Sequence, residues 1–236
     1  MRLALVSNPK SGTAVDQDDL VAKLETHGAT VECFAVDEPD AAARCGADRM
    51  VVAGGDGSIA PSAAAAGASG IPLAVIPTGT ANDFARALDL PRAIDAACEL
   101  AAGGTALRTL DLGRAGERPF VNVANAGLAV RAAREARGYK KLLGPFAYAV
   151  GAARAGLASR PLACRVACDG EELFAGSVWQ LVIGNTGAFG GGSGNAQARP
   201  DDGLLDVVAI EAGSRVALLR RAAGLRSGRI AEQPGV

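Results

Sequence analysis

Short apolar runs separated by polar, turn-rich stretches set the rhythm of the first half of the chain. Leu3–Val6 is one such run, closed by Ser7-Asn8-Pro9-Lys10-Ser11-Gly12, and predicts a strand followed by a loop. Asp16–Glu25 places Leu20, Val21 and Leu24 on one side and meets Gly28 as a stop, which predicts a helix. Thr30–Val36, Arg49–Ala53 and Pro72–Ile76 read as further strands. Pro39–Cys45, Ser62–Ala66 and a segment starting at Phe84 read as the helices between and after them. Apolar strands alternating with helices predict a parallel, Rossmann-like α/β domain with helices on both faces of its sheet.

After about residue 106 the pattern changes. Thr109–Leu112, Phe120–Val123, Leu162–Val166, Val178–Ile183 and Leu204–Ile210 read as strands joined by Gly and Asp turns, with one helical insert over Ala129–Leu157. The expectation is two domains, 1–106 of α/β type and 107–236 a mainly antiparallel β-sandwich.

Composition narrows the function classes. The 236 residues carry 24 Lys+Arg against 25 Asp+Glu, with 49% hydrophobic and 21% charged residues, a globular balance. A dedicated nucleic-acid binder would be more basic. The uncharged stretches Gly57–Asn82 and Leu173–Ala198 are broken by prolines in the first and glycines in the second, so neither reads as a membrane span. The apolar start ends too soon for a signal peptide, and the expected location is the cytoplasm. Cys33, Cys45, Cys98, Cys164 and Cys168 form no Cys-x-x-Cys, and the lone His27 completes no zinc site with them. They read as small buried residues, although Cys164 and Cys168 on one strand face would allow a late disulfide. His27, beside Gly28, reads as a helix C-terminal cation or a spectator.

Three polar turns carry the candidate chemistry. Gly54-Gly55-Asp56-Gly57-Ser58 follows a strand, where glycines let backbone N–H groups approach phosphate and the next helix N-terminus favours an anion. Asp56 would repel a bare phosphate and makes sense with Mg²⁺ between them, although Gly-Asp-Gly is also ordinary turn chemistry. Thr80-Ala81-Asn82-Asp83 ends the next strand, and there Asn82 or Asp83 could simply cap the following helix. Asn8-Pro9-Lys10-Ser11-Gly12 ends the first. Open α/β sheets bind ligands at this strand edge, so the three turns together predict a nucleotide or phosphate site.

These segments, with Phe84-Ala85-Arg86, Gly190-Gly191-Gly192 and Asp201-Asp202-Gly203-Leu204-Leu205-Asp206, resemble the diacylglycerol kinase-like lipid kinase family, related to sphingosine kinases and NAD kinases. The resemblance covers nearly the whole chain. It implies an ATP- and Mg²⁺-dependent kinase of a diacylglycerol-like lipid that visits the membrane surface, with the oligomeric state open and a dimer conceivable. On matching positions it implies ATP contacts from Asn8, Pro9, Ser11, Gly12, Gly54, Gly55, Asp56, Gly57, Ser58, Thr80 and Asn82. Asp56 and Asp83 become the candidate catalytic carboxylates, in a Mg²⁺–water network at the phosphates. A structural Mg²⁺ in the second domain would take the Asp202 side chain and the carbonyls of Arg199 and Leu204.

Departures from the family pattern leave alternatives. Ala60-Pro61 stand where an Asn-Glu pair is usual, and Val36 stands where an ATP-contacting Thr is expected. The family's base belongs to an Asp-Gly-Glu after a last group of strands, and this sequence stops at Gln233-Pro234-Gly235-Val236, about where those strands would begin. The second domain is therefore expected to lack its last strands. Asp169-Gly170-Glu171 reads as a hairpin turn instead. The other readings are a kinase of a soluble acceptor such as NAD, a non-catalytic nucleotide-binding protein, and a partly folded fragment with an open sheet edge. Arg131, Arg134, Arg137 and Lys141 share a helical face, either docking on anionic headgroups at roughly 1 kcal/mol per basic side chain or simply solvated. The tail arginines Arg215, Arg220, Arg221, Arg226 and Arg229 carry the same ambiguity.

Overall fold

The computed structural model describes residues 1–7, 15–134, 160–190, 193–194 and 198–214. In chain order the elements are β1 (Arg2–Ser7), α1 (Gln17–Thr26), β2 (Thr30–Ala35), α2 (Pro39–Arg44), β3 (Arg49–Gly54), α3 (Asp56–Ser69), β4 (Leu73–Pro77), α4 (Asp83–Ala87) and α5 (Ile94–Gly103). Then come β5 (Gly113–Ala115), β6 (Arg118–Phe120), β7 (Val123–Gly127), β8 (Leu162–Cys168), β9 (Glu171–Gly184), β10 (Ala188–Gly190), β11 (Ser193–Gly194) and β12 (Asp206–Glu211). Contacts group the chain into two units. The first holds Met1–Asn122 together with Asn185–Gly192 and Arg199–Leu204, and the second holds the rest.

The first unit is built on a parallel sheet of order β2-β1-β3-β4. Strand periodicity sends alternate side chains to opposite faces. Leu3, Leu5, Val51 and Ala53 pack with Leu20 and Leu24 of α1 and Cys98 and Ala101 of α5. Ala4, Val6 and Met50 pack with Ala42 and Ala43 of α2 and Ala65 and Ala66 of α3. Helices thus cover both faces, as the pattern of continuous apolar strands predicts. Asp16 caps α1 by accepting the Asp18 N–H at 3.2 Å, and Gly28 stops it with φ +77°.

Helix α3 departs from the prediction by starting at Asp56 and running through Pro61. Pro61 removes the hydrogen bond that would reach back to Gly57, and both residues are exposed, so the freed carbonyl meets water. Arg49, at the start of β3, donates from Nη1 to the Ala101 carbonyl at 2.5 Å and from Nη2 to the Gly104 carbonyl at 2.6 Å. A guanidinium there satisfies carbonyls that the end of α5 leaves open and opposes the negative end of its dipole.

The second unit is a mainly antiparallel β-structure. Strand β9 pairs with β8 through its first part and with β7 and β12 through its second. Asp169 (φ +52°) and Gly170 (φ +87°) turn the chain between β8 and β9, so Asp169-Gly170-Glu171 is the hairpin that its sequence suggests. Residues 128–134 are helical at the start of the predicted insert, and Gln180 Oε1 accepts the Ala129 N–H at 2.7 Å. Arg131 and Arg134 are exposed, whereas Arg137, Lys141 and the five tail arginines lie outside the described residues.

Two predicted strands change. Thr109–Leu112 is not a strand: this segment is irregular, and the Asp111 N–H donates instead to the Pro200 carbonyl. Phe120–Val123 splits, because β6 turns back on β5 through Gly116 (φ +60°) and the carbonyl of Asn122 is taken by the N–H groups of Asn185 and Thr186. The cysteines are all free, with no Cys164–Cys168 disulfide, and they are not uniformly buried. The extra residue at the Val166/Ala167 register shift lies on β9, so β8 keeps its alternation, but four residues of strand rise set Cys164 and Cys168 roughly 13 Å apart, beyond disulfide reach. Cys98 is buried, which pushes its thiol pKa up, while Cys33 lies exposed on edge strand β2. Cys168 is exposed beside Asp169, whose charge raises its thiol pKa. No helix among the described residues is long and apolar enough to cross a membrane.

Arg49→Ala should lower the unfolding free energy by about 1–3 kcal/mol, the range for losing charge-assisted hydrogen bonds. Arg49→Lys should recover less than half, because an ammonium cannot fork to several carbonyls. Urea midpoints at constant m-value check both.

Candidate functional site

Adjacent parallel strands β3 and β4 end level, with Gly54 paired to Pro77 and the Thr78 N–H donating to the Gly54 carbonyl at 3.2 Å. The loops that leave them then touch backbone to backbone. A Cβ placed on Gly79 would lie 2.4 Å from Gly55 Cα, and one on Gly55 would lie 3.1 Å from Gly79 Cα. No side chain fits between the two loops, so they form one continuous rim at the carboxyl edge of the sheet. Ser7, at the end of β1, is paired with Ala53 at the same edge. Asn8, Pro9, Ser11 and Gly12, which follow it, lie outside the described residues.

Asn82 holds the second loop in shape. It sits in the left-handed region at φ +49°, accepts the Gly79 N–H at 2.9 Å, and donates to the carbonyls of Gly79 at 2.8 Å and Pro77 at 3.2 Å. With its amide turned into its own loop, Asn82 makes no capping bond to α4. The cap comes from Asp56, 27 residues away. Its Oδ2 accepts the Asp83 N–H at 3.1 Å and its Oδ1 accepts the Phe84 N–H at 2.8 Å. Asn122 Nδ2 donates to the same Oδ1 at 2.9 Å. So neither Asn82 nor Asp83 caps this helix.

Asp83 is buried and ion-paired with the half-exposed Arg86 one turn along α4. Both candidate catalytic carboxylates therefore have protein partners. Thr80 is exposed at the tip of its loop, Gly57 is exposed in the first turn of α3, and Ser58 is half-buried with its N–H donating to the Gly55 carbonyl. The first turn of a 14-residue helix on a glycine-walled rim suits an anion such as phosphate, since its N–H groups and dipole both favour negative charge.

Arg199, Asp202 and Leu204 share one turn, but contacts group it with the first unit rather than with the antiparallel sheet. Asp202 Oδ1 accepts the Leu204 N–H at 3.0 Å, Asp201 takes a forked bond from Arg108, and the Gly203 N–H donates to Asp111 Oδ2 at 2.7 Å. No group of three or more His, Cys, Asp or Glu side chains converges as a metal site among the described residues. A cation here would rest on one carboxylate and on carbonyls. Sequence reasoning missed Asn122, Arg108 and Asp111. Asn122 was hidden inside an apolar run that reads as strand, and its one signal is an amide between Val121 and Val123.

Residues 2–115 match the diacylglycerol kinase catalytic domain model, and residues 122–236 match the YegS C-terminal NAD kinase beta sandwich-like domain. The diacylglycerol kinase of Mycobacterium tuberculosis is 32% identical over 236 residues, covering 93% of this chain and 76% of that protein. The chain belongs to the diacylglycerol kinase family. A Pseudomonas putida protein named "Probable lipid kinase YegS-like" is 37% identical over 177 residues, 72% of this chain, and the match spans 58% of that relative's length. A diacylglycerol kinase crystal structure from Bacillus anthracis superposes with a TM-score of 0.71 at 23% identity, over 92% of this chain and 76% of that one, a likeness of fold.

For this family member the rim makes a direct prediction. Gly79→Ala should destabilise the fold by about 1–3 kcal/mol, as overpacking against backbone does, and weaken ATP binding. Gly57→Ala meets open space and should leave the melting temperature unchanged or slightly raised. Thermal melts and ATP titrations of the two variants side by side check this.

Proposed function

We propose that this chain transfers the γ-phosphoryl group of ATP to a hydroxyl of a diacylglycerol-like lipid drawn from a membrane surface. The observation that carries the reading is the backbone contact of Gly55 with Gly79 beside the α3 N-terminus, in a chain of the diacylglycerol kinase family. Gly54, Gly55, Gly57, Ser58 and Thr80 would line the triphosphate, joined by Asn8, Pro9, Ser11 and Gly12 from the loop after β1. Phosphoryl transfer depends on positioning and charge neutralisation more than on covalent chemistry, and backbone N–H groups serve both.

Asp56 and Asp83 fit a hydrated cation better than a directly ligated one, because each carboxylate already holds protein partners. Mg²⁺, when bound, supplies neutralisation of triphosphate charge. Asp56 acts chiefly by holding α4, and Asn82 by holding the loop that carries Thr80. Asp202, with the carbonyls of Arg199 and Leu204, would hold a structural Mg²⁺ through its remaining carboxylate capacity. The exposed Arg131 and Arg134 are suited to anionic headgroups.

The test is transfer of labelled γ-phosphate from Mg-ATP into a panel of lipids in mixed micelles. A phosphorylated diacylglycerol-like product is expected. Asp56→Ala should reduce its formation about 30- to 1,000-fold, because three donors lose one acceptor. Asp56→Asn should also be impaired, since its amide would oppose an N–H donor. With NAD supplied as a soluble acceptor in a parallel reaction, labelled NADP formed without detergent, and no lipid product, would overturn the lipid assignment.

A further inference from the structure

A one-way chain of hydrogen bonds reaches Asp56 from a segment distant in sequence. Thr186 is fully buried and Asn122 nearly so. Thr186 Oγ1 accepts the Ala188 N–H at 3.3 Å and donates to Asn122 Oδ1 at 2.9 Å. Asn122 Nδ2 then donates to Asp56 Oδ1, which accepts from the first turn of α4. Each direction is set by chemistry. A backbone N–H can only donate to the hydroxyl, and a carboxylate can only accept. The amide of Asn122 is thereby held with its oxygen toward Thr186 and its nitrogen toward Asp56. The backbone locks the same pair, since the Asn122 carbonyl accepts the N–H groups of both Asn185, at 2.8 Å, and Thr186, at 3.3 Å.

We infer that Asn122 and Thr186 are positioning residues of the nucleotide site, which orient the Asp56 carboxylate and through it the α4 N-terminus and the loop bearing Thr80. This rests on the reading that the Gly55–Gly79 rim takes ATP. Asn122→Asp is isosteric and sets a second carboxylate against Asp56 in place of an N–H donor. Thr186→Val keeps the shape and leaves Asn122 Oδ1 without its donor, while Thr186→Ser keeps the donor.

The experiment has two arms. In the kinase assay, Thr186→Val should raise KM for ATP about tenfold with KM for lipid unchanged, one buried hydrogen bond in magnitude, and Thr186→Ser should restore it to within about twofold. Asn122→Asp should lose activity, since a carboxylate replaces the N–H donor to Asp56. In amide hydrogen exchange, the Asp83 and Phe84 N–H groups should exchange about tenfold faster in Thr186→Val, with Val51 and Val52 of β3 unchanged. Unaltered exchange at Asp83 and Phe84, or equal acceleration throughout β3, would overturn the inference. Wild-type protein that phosphorylates no lipid would overturn the lipid-kinase reading alone, and the exchange arm would still decide the relay.

Discussion

The carboxylate of Asp56 joins the start of α3, the start of α4 and Asn122, which are far apart along the chain. Its acceptors suit the task because the first N–H groups of a helix have no partner within the helix, and an ionised acceptor at that end also opposes the dipole. Asn82 would be the local choice for a cap. It is committed to three bonds inside its own loop, in a left-handed conformation that a short polar side chain tolerates. Capping from a distance ties the second loop to the first. The Gly55–Gly79 contact fixes their separation, and the Asp56 bonds fix their relative orientation.

The parallel sheet makes this arrangement reachable. Strands β1, β3 and β4 run the same way with matched registers, so the segments that follow them all leave at one edge. Each strand buries alternate residues on opposite faces, and helices cover both. Arg49 secures one of those helices at the far end of β3 by occupying carbonyls at the C-terminus of α5. The platform is thus held by apolar burial across its faces and by charge-assisted bonds at its helix ends.

Chemically, the rim is made of backbone rather than of side chains. The charged groups nearest to it are internally matched, Asp83 with Arg86 and Asp56 with N–H donors, which leaves N–H groups and open glycine surface for an anion. That division suits phosphoryl transfer, where orientation and electrostatics carry most of the catalysis. It also explains why residues without reactive groups, such as Asn122 and Thr186, can govern the site.

Much of the fold was legible in the sequence because its signals are local. Apolar alternation with helices marked the parallel sheet, Gly28 marked the end of α1, and Asp169-Gly170 marked the β8–β9 turn. Each of these depends on backbone preferences within a few residues. The glycine loops were legible as places of close backbone approach, read there as approach to phosphate, whereas the contact of Gly55 with Gly79 came only from the structure. Pro61 misplaced the start of α3, because a lost hydrogen bond on a solvent face is tolerated where sequence rules expect a break. The roles of Asp56 and Asn122 were decided only by tertiary structure. A side chain's partner is whichever donor or acceptor the aligned strands bring within about 3 Å, and spacing along the chain holds no record of that distance.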